Sequence, residues 1–273
     1  MSDRSFIEIE DVSKRYRGAE GLLAVENVTT NFARGEFISI LGPSGCGKST
    51  LMQMLAGLTP RSSGRIAIGG RDVKRAQTDL GIVFQDTNLL DWRTVLKNVM
   101  LQIEVRKLDH AVYLERARNL LAMVGLEGFE EKLPHQLSGG MKQRVAICRA
   151  LIHDPPLLLM DEPFGALDAL TRDQLNVDLQ DIWLESRKTV VFVTHSISEA
   201  VFLSDRVLVM SPRPATVAAD IRIDLPRRRP ISVRETPAFG AYVSQIRNMF
   251  EEWGVLRRDA EAPALRLAAG GKQ

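Results

Sequence analysis

The sequence predicts an α/β fold interrupted by a helical insert, and three observations carry that prediction. An apolar strand runs directly into a glycine-rich turn and then a helix across residues 36–56. Further apolar runs, LLLM at 157–160, TVVFV at 189–193 and RVLVM at 206–210, follow a long stretch of helical character. Runs of that kind are strands buried on both faces of a sheet that helices cover. An acidic pair, Asp161-Glu162, stands directly after the first of them.

Taken in order, residues 5 to about 86 read as strands and turns around one helix. The opening "MSDRSFIEIEDVSKRY" alternates like a strand and has no apolar h-region, so no signal peptide is expected. Residues 36–41 read as a buried strand, and 49–56 as the helix after the turn. "RSSGRIAIGGRDV" reads as a turn, a strand and a Gly-Gly turn. From about 90 to 153 the pattern becomes helical, with apolar residues at Val112, Leu120, Leu121 and Val124 and 141–152 in the same style. Beyond Pro212 prolines and arginines thicken, and a helix is predicted over 239–253. "PRRRP" reads as a solvated turn, and 262–273 as a frayed tail.

The 273 residues are 45% hydrophobic and 26% charged, an ordinary globular balance with ample material for a core. A formal net charge of +2 gives no pull toward nucleic acid. Two cysteines are too few for a disulfide framework and suit a reducing compartment. No apolar run approaches a membrane-spanning length.

"ILGPSGCGKST" carries the first chemistry. Gly42, Gly47, Lys48 and Ser49 fit G-x-x-x-x-G-K-[ST] between a strand and a helix. Bare backbone there turns amide hydrogens inward, and the helix N-terminus adds partial positive charge, which together cradle phosphate. Lys48 can reach the terminal phosphates, and the Ser49 hydroxyl can sit on Mg²⁺. Cys46 reads as a small filler. The loop alone leaves kinase, GTPase and motor open.

The carboxyl ends of parallel strands are where ligands gather, so Asp161 and Glu162 aim at the same region. Asp161 suits Mg²⁺, and Glu162 suits orienting or deprotonating a water. His195 leaves the strand 189–193 at the same edge, whereas His110, His135 and His153 read as surface residues. In "QLSGGMKQRVAICRAL", Ser138 reads as an N-cap, with Gly139 and Gly140 exposing amides at a second anion-binding helix end. One nucleotide unit per chain and two such ends fit a head-to-tail pair, each chain closing the other's site.

From residue 5 to 211 the chain resembles the ATP-binding subunit of an ABC transporter. "GPSGCGKST" resembles that family's Walker A loop, Leu137–Met141 its signature, and "LLLMDEP" its Walker B strand. The resemblance implies a RecA-like P-loop NTPase core with an antiparallel β portion and an inserted α-helical subdomain. Its bounds are 1–211, the core at about 1–89 and 154–211 and the insert at about 90–153; 212–273 is a C-terminal extension. Gly42, Pro43, Ser44, Gly45, Cys46, Gly47, Lys48, Ser49 and Thr50 are then the ATP loop, with Tyr16 stacking on adenine. Gln85 in "VFQD" resembles the Q-loop glutamine, expected at the Mg²⁺ and coupling nucleotide to the transmembrane partner. Asp168 in "FGALD" looks like the D-loop aspartate, and His195 the switch histidine.

The implied partners are a second copy of the chain, a membrane permease and, indirectly, a periplasmic solute-binding protein, with the subunit at the cytoplasmic face of the membrane. "NLLDWRTVLKNV", "VLVMSPRPA" and "IDLPRRRP" are similar to ATPases of nitrate, sulfonate and taurine importers, although Asp91 stands where that group often has proline. Trp92 and Arg93 are expected either to meet the permease or to pack on the insert. Two rivals remain at this point: a soluble ABC-type ATPase acting on ribosomes or DNA, which usually carries paired cassettes or coiled arms, and a P-loop kinase, which has no use for the LSGG helix end.

Overall fold

In the computed structural model, which describes residues 5–17 and 21–256, apolar periodicity decides which strand joins which sheet. β1 (Ile7–Arg15) and β2 (Leu23–Phe32) mix buried and exposed positions and pair antiparallel. β3 (Phe37–Leu41) is apolar and mostly enclosed on both faces, and leads through the glycine-rich turn into α1 (Lys48–Leu55). β4 (Ser63–Ile68) and the short β5 (Arg71–Asp72) complete a sheet in the order β2-β1-β4-β5. β6 (Leu80–Val83) starts the edge of a second sheet.

The helical insert follows as α2 (Val95–Val105), α3 (His110–Met123) and α4 (Gly139–Leu151). The chain then alternates through β7 (Leu157–Asp161), α5 (Ala169–Ser186), β8 (Thr189–Thr194), α6 (Ile197–Leu203) and β9 (Arg206–Met210). β10 (Val217–Arg222) and α7 (Pro237–Glu252) end the described fold. The second sheet runs β10-β9-β3-β8-β7-β6, parallel except at the β10 edge.

Both faces of that sheet are covered. Phe37, Leu41, Met160, Phe192 and Val209 pack among α4, α5, α6 and α7. Ile38, Ile40, Leu159, Val193 and Met210 pack against α1 and the antiparallel sheet. Each such side chain contributes roughly 1.5–3 kcal/mol on burial, which explains why these strands read as unbroken apolar runs.

Ahead of α2, residues 90–94 form a loop that Asn98 holds. Its fully buried amide accepts from the Leu90 N–H (2.8 Å) and donates to the carbonyls of Leu90, Arg93 and Thr94 (3.1, 3.0 and 3.1 Å). The loop presents Trp92, 77% exposed, so packing against the insert is not what Trp92 does. Arg93 reaches back to Glu104 at 2.7 Å.

Two further expectations change at the C-terminal side. The boundary at residue 211 falls inside the β9–β10 hairpin, whose ladder starts at Val217 opposite Met210. "PRRRP" is not a solvated turn: Arg229 is 1% exposed and donates to the carbonyls of Val201, Phe202 and Ser204, each at 2.9 Å. Arg227 donates to the Leu203 carbonyl and the Asp205 carboxylate. A helix end leaves carbonyls without partners, and the guanidinium fork meets those of α6. Burial pushes the Arg229 guanidinium down to about 10. Only Arg228 lies outward, 2.6 Å from Asp181. α7 closes this side with Phe239, Ile246 and Phe250, and the tail at 262–273 lies outside the described residues.

Candidate functional site

Strand register places the expected residues along one edge. Leu41 of β3 pairs with Thr194 of β8, Asp161 of β7 with Val193, and Val83 of β6 with Met160. The residues that leave these strands, Gly42, His195, Glu162 and Gln85, therefore emerge side by side at the carboxyl ends, as the topology rule requires.

The turn between β3 and α1 wraps tightly. Gly47 has φ of 133°, and a Cβ there would stand 2.8 Å from the Ala24 carbonyl oxygen, so only glycine fits. The Lys48 ammonium, 4% exposed, folds over the loop and donates to the carbonyls of Gly42 and Pro43, both at 3.0 Å. It also lies 3.6 Å from Glu162 Oε1. Cys46 is a buried free thiol that burial pushes up, in keeping with a filler and not a nucleophile.

Ser49 Oγ donates to Asp161 Oδ1 at 2.9 Å. Burial raises the Asp161 carboxyl above its usual range; Ser49 opposes the shift, Glu162 adds to it and Lys48 opposes it. An oxygen-only pair on a partly buried carboxylate matches the preference of a small hard cation, which would return that carboxyl to its ionised form.

Glu162 holds φ of 45°, a left-handed backbone conformation it shares with Asp11, Asn27, Asn88, Lys107, Asp154 and Arg187. Its N–H donates to the Val193 carbonyl at 2.9 Å, and its Oε2 lies 3.0 Å from His195 Nδ1. Gln85 is exposed, over the turn at Glu162–Gly165, and is bonded neither to Ser49 nor to Asp161. Tyr16 is half-exposed at the far end of the loop, its hydroxyl 3.3 Å from Thr50 Oγ1 and the Lys14 ammonium 4.9 Å from its ring centre. That places the Tyr16 ring beside the glycine-rich turn.

Ser138, Gly139, Gly140 and Asp168 form a separate cluster. Ser138 caps α4 by accepting from the Met141 N–H at 3.3 Å, and Asp168 caps α5 by accepting from the Thr171 N–H at 3.0 Å. That bond and the Thr171 hydroxyl hold the Asp168 carboxyl below its usual range. The two helix starts pack together where Gly140 meets Thr171. Among the described residues, no hydrogen bond joins this cluster to the glycine-rich turn.

One buried network was not anticipated. The Thr194 hydroxyl donates to Glu199 Oε2 at 2.6 Å, Arg172 lies 3.6 Å from Glu199 Oε1, and Arg172 donates to the Leu167 carbonyl at 2.8 Å. Burial raises the Glu199 carboxyl. The residue before His195 is thereby tied to the residue before Asp168. Ser196-x-x-Glu199 has the capping-box spacing that could have drawn attention to Glu199.

Comparison with known proteins settles the family. The ABC transporter family profile matches residues 25–165. An uncharacterised ABC transporter ATP-binding protein of Methanocaldococcus jannaschii is 44% identical over 247 residues, 90% of this chain and 91% of that one. The chain belongs to the ABC transporter family. This ABC ATPase is also similar to the taurine import ATP-binding protein TauB of Rhizobium johnstonii, 44% identical over 242 residues covering 87% of this chain and 92% of TauB. Among solved structures it resembles the dimeric bacterial ABC transporter cassette MJ0796, with a TM-score of 0.70 and 35% identity over 80% of this chain and 99% of that one. A post-hydrolysis state of the same cassette, bound to ADP and Pi, gives a TM-score of 0.69 with 33% identity, over 80% of this chain and 99% of that one. ABC-cassette architecture and ATPase chemistry are thus those of the family, and no described helix is long and apolar enough to cross a membrane.

Proposed function

We propose that this chain is the ATP-hydrolysing subunit of an importer, working as a head-to-tail pair at the cytoplasmic face of a separate membrane permease. The observation that carries the reading is the separation of two half-sites on one chain. The turn at 42–50 with Asp161, Glu162 and His195 lies at one sheet edge, and the helix start at Ser138–Gly140 makes no bond to it. A second copy supplies what each half-site lacks, in line with the dimeric cassettes the fold resembles.

In this reading the amides of 42–50 and the Lys48 ammonium hold phosphate, while Tyr16 takes the base. Ser49 and Asp161, together with Gln85, would hold Mg²⁺, and the ion would supply charge neutralisation at the phosphates. Glu162 takes a proton from the attacking water, an action typically worth ~10²–10⁴-fold in rate. His195, oriented by Glu162 at 3.0 Å, faces the transferred phosphoryl group. Ser138, Gly139, Gly140 and Asp168 of the second copy close the site.

Trp92, exposed on a loop that Asn98 holds, offers the permease an aromatic anchor of the kind enriched at interface centres. A taurine- or sulfonate-type solute is supported by the taurine import relatives. The test is ATPase of the subunit with its reconstituted permease and binding protein. Stimulation is expected on adding a sulfonate, and Trp92→Ala should lose permease pull-down while melting normally. Stimulation by ribosomes or DNA in its place would overturn the reading.

A further inference from the structure

We propose that Arg213, on the hairpin between β9 and β10, is a positioning residue for the phosphate loop, acting through the Gly45 carbonyl. The inference rests on reading 42–50 as the phosphate cradle and adds a residue outside that motif. A cradle needs amide hydrogens turned inward, so a carbonyl that faces outward must find its partner there. On the inner side, the Gly42 and Pro43 carbonyls accept from the Lys48 ammonium. The Gly45 carbonyl is met from outside the loop: Arg213 Nε donates to it at 3.0 Å, and Nη2 donates to the same oxygen.

Gly45 has φ of 72°, and a Cβ on it would stand 3.0 Å from Arg213 Nη2, so the guanidinium takes the space a side chain would fill. The next amide, at Cys46, donates to the Pro43 carbonyl at 3.3 Å, which makes 43–46 a closed turn with Arg213 seated on its back.

The hairpin that carries Arg213 is itself fixed. Ala215 is fully buried; its N–H donates to the Ala24 carbonyl at 3.1 Å, and its carbonyl accepts from the Glu26 N–H at 2.9 Å. Ser211 and Thr216 close the hairpin neck, with the Ser211 N–H donating to the Thr216 carbonyl at 3.0 Å. Gly47 abuts the same wall, where a Cβ would meet Ala24, Val25 and, at 3.5 Å, Ala215. Strand β2 and the hairpin thus form the outer wall of the phosphate turn, and Arg213 is the charged group that reaches from that wall to the turn. A guanidinium there also adds positive charge beside the phosphates.

The test measures MgATP binding by calorimetry and steady-state hydrolysis on the full-length chain for Arg213→Ala, Arg213→Lys and Lys48→Ala. Arg213→Ala is expected to weaken MgATP binding and raise KM by about tenfold, the weight of one charge-assisted bond, with a smaller fall in kcat and little change in melting temperature. Arg213→Lys keeps a cationic donor and should recover most of the affinity. Two results would overturn the inference: Kd and KM for Arg213→Ala within twofold of the parent while Lys48→Ala loses binding, or a lowered melting temperature with unchanged affinity in the folded fraction. If Lys48→Ala also binds MgATP normally, the cradle reading itself falls.

Discussion

At the scale of single residues, His153 gives the clearest pH signature. It is not a surface histidine: burial first, then the neighbouring Arg106, push its imidazole from the ordinary 6.5 down to about 4. The unfolded chain therefore binds a proton at His153 between about pH 6.5 and 4 that the native state refuses. Stability from this group is full above that window and falls as pH drops through it. Melting temperatures from pH 7.5 to 4 should decline less steeply for His153→Gln than for the parent; parallel profiles would contradict the assignment. Lys48, Ser49, Asp161, Glu162 and His195 could be grouped from the sequence because motif and strand-end position agree, and the fold brings them to one sheet edge. Glu199, Arg213 and His153 could not, because their roles depend on partners 5 to 168 residues away, or on burial that no local pattern records.

Among elements, α6 depends on the segment after β10. Three carbonyls at its C-terminus end on Arg229, and Gln180 brackets that residue by accepting from its N–H at 2.7 Å and donating to its carbonyl at 2.8 Å. Arg229→Ala leaves those carbonyls buried without donors and should cost about 2–4 kcal/mol in urea unfolding. A loss below about 0.5 kcal/mol, the range of an ordinary surface change, would mean the arginine is not a cap. Strands β3, β7, β8 and β9 stood out in the sequence as nearly unbroken apolar runs, and helices α1, α3, α4 and α7 through helical spacing. "PRRRP" misled because three adjacent arginines between prolines look like a solvated turn. What pulls two of them inward is the short helix at Ile197–Leu203, distant in sequence and adjacent in space. β10 escaped notice for a related reason: Val217, Ala219 and Ile221 alternate inward with Ala218, Asp220 and Arg222 outward, but the two alanines make that alternation faint in "VAADIR".

For the molecule as a whole, the sequence offers two glycine-bearing helix starts on one chain, and the fold sets them in two clusters with no hydrogen bond between them among the described residues. The claim that a second copy completes each site is tested most directly by mixing two defective chains in a Glu162→Gln background, where hydrolysis is slow and bound nucleotide is retained. One chain carries Lys48→Ala, the other Ser138→Arg. Neither should retain nucleotide in a closed pair with itself, since each such pair spoils both shared sites. The mixed pair keeps one intact site, built from the phosphate turn of the Ser138→Arg chain and the Ser138 helix start of its partner. Radiolabelled ATP retained on the isolated mixed dimer should therefore come to about one per pair, half that of the Glu162→Gln parent. Retention on the mixture no greater than the sum of the two chains measured alone would contradict the shared site.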